Sequence, residues 1–195
     1  MIYLPKSYYM RIISGTHRGR VLKSLKGNII RPTSDRVREA YFNIIGQYFK
    51  DAVVLDLYCG TGAVGLEFLS RGAGKCIFVD ASNASINIAK DNAKQMDMLN
   101  KSIFYTMSAS DYLRNIKEYI FDYIFIDPPY RENISKNILK EIDRDILKEN
   151  GLLTVEHSKR VEYPDIAGKL YLTKRRRFGD TILSFYSFDF MRSTI

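Results

Sequence analysis

From residue 52 to residue 156 this chain alternates short apolar runs with amphipathic stretches, and that rhythm leaves few folds open to it. The runs Ala52–Leu57, Lys75–Val79, Ser102–Met107, Tyr123–Ile126 and Leu152–Glu156 read as strands. Between them, Ala63–Arg71, Asn83–Met96, Asp111–Tyr119 and Ser135–Lys148 read as helices. Val53-Val54-Leu55 and Tyr123-Ile124-Phe125-Ile126 are apolar at consecutive positions, which a parallel sheet needs when both its faces are covered. The order βαβαβαβαβ predicts an α/β fold: a doubly wound, Rossmann-like, mostly parallel sheet. Two further strands, Leu170–Thr173 and Thr181–Phe188, predict an antiparallel C-terminal hairpin at the sheet edge. Ahead of the alternation, residues 10–32 carry short β-type runs broken by Gly15, Gly19 and Gly27 and predict a small β-hairpin. An amphipathic helix follows from Asp35, with Ser34 as its N-cap.

The expected organisation is a disordered extension at residues 1–9, a β-hairpin at 10–32 and one larger domain at 33–195. With 195 residues and 46% apolar side chains, the chain can bury a core of that size. No apolar run reaches the roughly 18 residues of a membrane span, and Met1–Met10 lacks the apolar block of a secretory signal. A cytoplasmic protein is expected. Cys59 and Cys76 show no metal-ligand spacing, which fits a reducing compartment and predicts no metal site.

Charge divides unevenly. Residues 1–50 carry a net +8, residues 51–156 a net −4 and residues 157–195 a net +4. Basic flanks around a mildly acidic centre suit a protein that grips a polyanion at its ends and a small neutral or cationic ligand in its middle. Arg18, Arg20, Arg36 and Arg38 in the first block and Lys174, Arg175, Arg176 and Arg177 in the last are the candidate phosphate contacts, with Phe178 placed to stack on a base. Arg36 and Arg38 lie two apart and point to different helix faces, so Glu39 can pair with one of them. A solvated hairpin tip is the structural alternative for Lys174–Arg177. His17 reads as exposed or RNA-facing, and His157 receives no role.

The first strand runs into Asp56-Leu57-Tyr58-Cys59-Gly60-Thr61-Gly62-Ala63-Val64-Gly65. Gly60 and Gly62 allow close backbone approach to a nucleoside, and the helix behind them offers free N–H groups. Gly60, Gly62 and Gly65 also satisfy the dinucleotide spacing. Asp56 tilts the choice, because a carboxylate at that strand tip suits an ammonium or sulfonium better than a pyrophosphate. Asp80, ending the second strand, is placed to accept from ribose hydroxyls, the alternative being an N-cap that Ser82 could equally supply. Ser110 and Asp111 could meet an adenine amine or simply begin a helix.

Asp127-Pro128-Pro129-Tyr130 is the most specific signal. Two prolines stiffen the backbone beyond a strand tip and remove two donors, leaving the Asp127 carboxylate and carbonyl oxygens as acceptors. That set suits a planar exocyclic amine, with Tyr130 as a stacking surface worth roughly 1–3 kcal/mol.

These segments resemble the motifs of class I S-adenosylmethionine-dependent methyltransferases, and Asp127–Tyr130 resembles that of their amino-methylating branch. With Arg31-Pro32-Thr33-Ser34-Asp35-Arg36-Val37-Arg38-Glu39 and Arg176-Arg177-Phe178-Gly179-Asp180-Thr181, the chain from about Met10 to Phe188 resembles the RsmD family, the 16S ribosomal RNA guanine-N2 methyltransferases. Tyr58-Cys59 departs from the Phe-Ala type pair expected there. The resemblance implies S-adenosylmethionine as cofactor, S-adenosylhomocysteine as product, and no metal. It implies cofactor contacts from Thr33, Asp56, Tyr58, Gly60, Gly62, Asp80, Ser110 and Asp111, with Asp127, Pro128, Pro129 and Tyr130 at the acceptor base. The implied partner is 16S rRNA in the small ribosomal subunit or a late assembly particle, with no membrane partner and a monomeric enzyme. The competing readings are a DNA adenine-N6 or cytosine-N4 methyltransferase, for which the chain has no room for a target-recognition domain, and a non-catalytic RNA-binding assembly factor, against which Asp56, Asp80 and Asp127 argue.

Overall fold

The computed structural model describes residues 10–24, 32–115, 118–128, 135–142 and 145–189, with backbone alone at 32–34 and 135–137. Eight strands form one sheet: β1 (Val53–Leu57), β2 (Lys75–Asp80), β3 (Ser102–Thr106), β4 (Phe121–Ile126), β5 (Leu147–Ser158), β6 (Ile166–Ala167), β7 (Leu170–Phe178) and β8 (Thr181–Ser187). Their spatial order is β3-β2-β1-β4-β5-β8-β7-β6. The first five run parallel, and β8, β7 and β6 add antiparallel pairings. The expected doubly wound sheet with an antiparallel C-terminal hairpin is therefore what forms.

Among the described residues five α-helices accompany it: α1 (Pro32–Ile45), α2 (Ala63–Ser70), α3 (Asn83–Gln95), α4 (Ala109–Asn115) and α5 (Ser135–Glu141). Strand side chains alternate between the layers. Val54, Phe78, Phe125 and Phe185 join α1, α2 and α3 in one core, whereas Leu55, Val79, Ile126 and Val155 join α4 and α5 in the other. This double burial explains the unbroken apolar runs. No helix among the described residues is long and apolar enough to cross a membrane.

The N-terminal segment forms a short antiparallel turn, with Ile12 N–H donating to Arg20 O and Leu22 N–H to Met10 O at 2.9 and 2.8 Å. It is bolted to α2. Glu67, fully buried, accepts from Ile13 N at 2.7 Å, from Ser14 N at 2.9 Å and from Arg71 Nε at 2.8 Å. Asn92 of α3 ties in the far end, accepting from Lys23 N at 2.8 Å and donating to Lys23 O and Thr61 O. Residues 25–31, the rest of the expected hairpin, lie outside the described residues, as do 1–9.

Several boundaries differ from the sequence reading, among them that of β7, which runs past Thr173 to Phe178, so Lys174–Arg177 stand in the strand and not at a hairpin tip. Helix α1 begins at Pro32, which suits a first helical position because its missing N–H is not needed there; Ser34 then falls inside the first turn instead of capping it. Helix α4 begins at Ala109 because Ser108 Oγ, not Ser110, takes the capping bond from Asp111 N at 3.1 Å. Helix α5 stops at Glu141, and Leu147 already pairs with Phe121 in β5, although Ile142, Ile146 and Leu147 extend the helical apolar spacing. Sheet pairing there overrides local periodicity. At Gly151 a Cβ would lie 2.5 Å from Leu147 Cδ1, so this irregular stretch of β5 needs a glycine.

Candidate active site

The strand order reverses between β1 and β4, and at such a point the helices on either side diverge to leave a crevice at the carboxyl ends of the strands. A cavity of about 250 Å³ lies there, its walls including Arg38, Asp56, Tyr58, Gly60, Asp127 and Glu156.

The glycine turn is shaped by backbone angles few side chains tolerate. Gly60 and Gly62 have φ of 53° and 76°, and Gly62 is the N-cap of α2 without any side-chain cap. Tyr58 holds φ at 60°, a left-handed conformation that costs a non-glycine residue about 1–2 kcal/mol and clusters at functional sites. Two carboxylates brace the turn. Asp80 Oδ2 accepts from Gly60 N at 3.0 Å and its Oδ1 from Ser82 N at 2.8 Å. Ser82 itself caps α3 by accepting from Ser85 N, so Asp80 is not the cap. Asp56 Oδ2 accepts from Gly65 N at 2.9 Å at the start of α2. Burial pushes Asp56 well above the usual carboxylate range; the Gly65 N–H opposes that rise, and the Asp127 and Asp80 charges add to it. Gly65 is required for packing: a Cβ there would sit 2.3 Å from the Phe78 ring.

Asp127 follows β4 and faces the cavity, its backbone N–H bonded to Leu57 O at 3.3 Å. Its carboxylate stays open to the cavity, yet the enclosing walls strip enough hydration that burial pushes it up to about 7. Pro128 is buried next to it, while Pro129 and Tyr130 lie outside the described residues. Glu156, in β5 just past its last pairing with β4, shares the cavity, and burial together with the Asp127 charge holds it well above the usual carboxylate range. Sequence reasoning missed Glu156. Its signal was available, because it ends the strand expected at Leu152–Glu156, although no glycine or proline marks the place.

Of the other candidate cofactor contacts, Thr33 lies in α1 with its side chain outside the described residues. Asp111 is exposed and accepts from Ser108 Oγ at 2.7 Å, and Ser110 sits inside the first turn of α4. Among the basic residues, Arg18, Arg20 and Arg36 are exposed.

Three assignments to RNA change. Arg38 is 5% exposed, forms an ion pair with Asp35 at 3.0 Å and donates to Arg11 O, which sets it in the cavity wall. Its Nε is buried with no hydrogen-bond partner among the described residues. Arg175 is held by Asp165 at 3.1 Å and by Tyr163 O, which occupies its donors on the far side of β7 from the cavity. Phe178 is half-buried and packs against the α1–α3 core, which removes one ring face from any stacking role. His157 bonds Ser184 Oγ at 2.8 Å and lies against Tyr163, a structural setting whose burial lowers its pKa.

Residues 10–187 match the family described as Conserved hypothetical protein 95. The chain is 40% identical over 180 residues to "Putative rRNA methyltransferase YlbH" of Bacillus subtilis, covering 91% of this chain and 98% of that protein. It is 33% identical over 153 residues to "Ribosomal RNA small subunit methyltransferase D" of Haemophilus influenzae, covering 77% and 79%. The solved structure "Putative methyltransferase yhhF from Escherichia coli" superposes with a TM-score of 0.78 at 30% identity, over 91% of this chain and 97% of that one.

Proposed function

We infer the function from the premise that this chain belongs to the Conserved hypothetical protein 95 family, the RsmD-type methyltransferases: it is an S-adenosylmethionine-dependent ribosomal RNA methyltransferase, and its acceptor is the N2 amine of one guanine in 16S rRNA. The observation that carries the acceptor chemistry is Asp127, a carboxylate fixed ahead of Pro128 at the rim of the crevice beside the glycine turn.

The cavity fits the cofactor. A Cβ at Gly60 would meet nothing within 4 Å, so the turn is open to a nucleoside. Asp80 carries two oxygens that each accept one backbone N–H and retain lone pairs for ribose hydroxyls. The unmatched Arg38 Nε at the wall suits a carboxylate such as the cofactor's amino-acid end. Bound there, the cofactor supplies a methyl group on a sulfonium, an activated leaving arrangement that asks for no covalent nucleophile. The chain orients and deprotonates. Asp127 accepts an N–H of the amine, turns its lone pair into the crevice and takes up the proton released on transfer.

Labelled methyl transfer to small-subunit particles, naked rRNA and DNA tests this reading, with nucleoside analysis of the product. N2-methylguanosine in rRNA is the expected result, whereas label in DNA or in another base overturns it. Asp80→Ala should weaken cofactor binding by about 1.5–3 kcal/mol with the fold intact, measured by calorimetric titration.

The RNA path follows from strand register. Arg176 pairs with Leu183, which pairs with Glu156, so Arg176 stands in the row that leads across the sheet to the crevice. Lys174 and Arg176 share that face. Arg176→Gln should flatten the slope of log affinity against log salt by about 0.7 for single-stranded RNA, while Arg175→Gln should leave it unchanged. Equal effects from both variants, read by filter binding over a salt series, would remove the facial preference.

A further inference from the structure

Glu156 is a buried-rim carboxylate with no part in holding the glycine turn and no cation within ion-pairing distance among the described residues. Its position is set by register. Strands β4 and β5 run parallel with Phe125 opposite Thr154 and Ile126 opposite Val155, so the next pair along is Asp127 opposite Glu156. Ile126 and Val155 both face the α4–α5 core, so Asp127 and Glu156 both turn to the other side, where they line one cavity. Two like carboxylates placed side by side repel each other and weaken the fold, an arrangement typical of a site built for a ligand with matching donors.

Only some bases offer such donors. The pairing edge of guanine carries the N2 amine beside a protonated N1, two adjacent donor groups. Adenine and cytosine carry an exocyclic amine beside an unprotonated ring nitrogen, which is an acceptor. A carboxylate set beside the one that holds the amine would attract the first edge and repel the second.

We propose that Glu156 reads the base, accepting the N1–H of the target guanine while Asp127 holds its N2 amine. This rests on the guanine-N2 reading and adds the residue that makes the site selective for guanine over the other amino-bearing bases. Glu156 touches the substrate and acts beside the reacting nitrogen.

The test uses reconstituted small-subunit particles carrying either guanine or 2-aminopurine at the methylated position. 2-Aminopurine keeps the N2 amine but has an unprotonated N1 and lacks the O6 of guanine, so the part of the discrimination that belongs to Glu156 is read from how far the Glu156 variants change the ratio. The parent enzyme should favour guanine in kcat/KM by about 10² or more, because a site built around a hydrogen bond strongly rejects an analogue that lacks it. Glu156→Gln carries an amide that can accept from N1–H or, turned over, donate to a bare N1. It should lower the guanine rate about tenfold and compress the preference to below about tenfold. Glu156→Ala should compress it as well. A parent enzyme that treats the two bases alike overturns the proposal without reference to any variant. So does an unchanged ratio in both variants, with both rates falling together, since a purely structural residue would act on the two substrates equally. If the parent methylates no guanine at all, the function itself fails, and that result is distinct from guanine methylation without discrimination.

Discussion

Asp127→Asn should cut the methyl-transfer rate by about 10²–10³ and leave cofactor affinity nearly unchanged. The amide preserves size and a carbonyl acceptor but cannot take up the amine's proton, so the loss falls on the step in which N–H is given up. The parent rate should rise with pH through about 7, where the Asp127 carboxyl ionises, and level off above it. Glu156 lies alongside, so this limb belongs to the pair of carboxyls and not to one residue. The same displacement acts on stability with a definite sign. Asp127 titrates from 3.8 in an unfolded chain to about 7 in the folded one, so between those values the native state binds the extra proton. Stability therefore falls as pH rises from about 4 to about 7 and does not recover above. At pH 8 Asp127→Asn should melt above the parent by about 2–4 °C, which corresponds to about 1 kcal/mol once the solvent screening on its open face is allowed for. Single-turnover transfer and thermal melts across pH check both halves. A variant with parental rate, or a parent with a flat pH profile, would sink the role given to Asp127.

Glu67→Ala should destabilise the fold by about 3–5 kcal/mol. Removing this fully buried carboxylate leaves the Arg71 guanidinium without its ion pair in an apolar setting and the Ile13 and Ser14 N–H groups without acceptors. Glu67→Gln retains a carbonyl acceptor and should cost less. Urea unfolding of the parent and both variants gives the ranking, and a loss below about 1 kcal/mol for the alanine would mean that the N-terminal segment is held by its apolar contacts at Ile12 and Leu22 instead. Because that segment also carries Arg18 and Arg20, the variant should lose RNA affinity at temperatures where the sheet is still folded.

Much of the site was legible because a parallel sheet puts the carboxyl ends of its strands on one edge. Asp80 ends a strand, Asp127 follows one directly and Asp56 stands one residue before the end of β1, so a correct strand reading already gathers them. Glu156 obeys the same rule, but only the β4–β5 register puts it opposite Asp127, and register is not local information. Arg36 and Arg38 are indistinguishable by spacing alone. What separates them is the phase of α1, whose Val37 and Tyr41 are buried and turn Arg38 inward beside them. Arg175 looked like its neighbours until Asp165 came alongside, ten positions back in the chain and brought near by the β6–β7 turn. The end of α5 was hidden for an energetic reason: the same apolar residues satisfy a helix stripe or a strand, and pairing with Phe121 decides between them.

The outer side of β7 has a bearing on how the protein behaves at high concentration. Strand β6 pairs only with Leu170 and Tyr171, so from Thr173 to Phe178 no described strand covers that edge, and its backbone groups form a template on which another chain could add. Lys174, Arg175, Arg176 and Arg177 occupy this bare stretch. Cations spaced along an open edge repel a second copy of the same edge, so this run keeps molecules apart from one another. Removing all of that charge would therefore expose an aggregation-prone border.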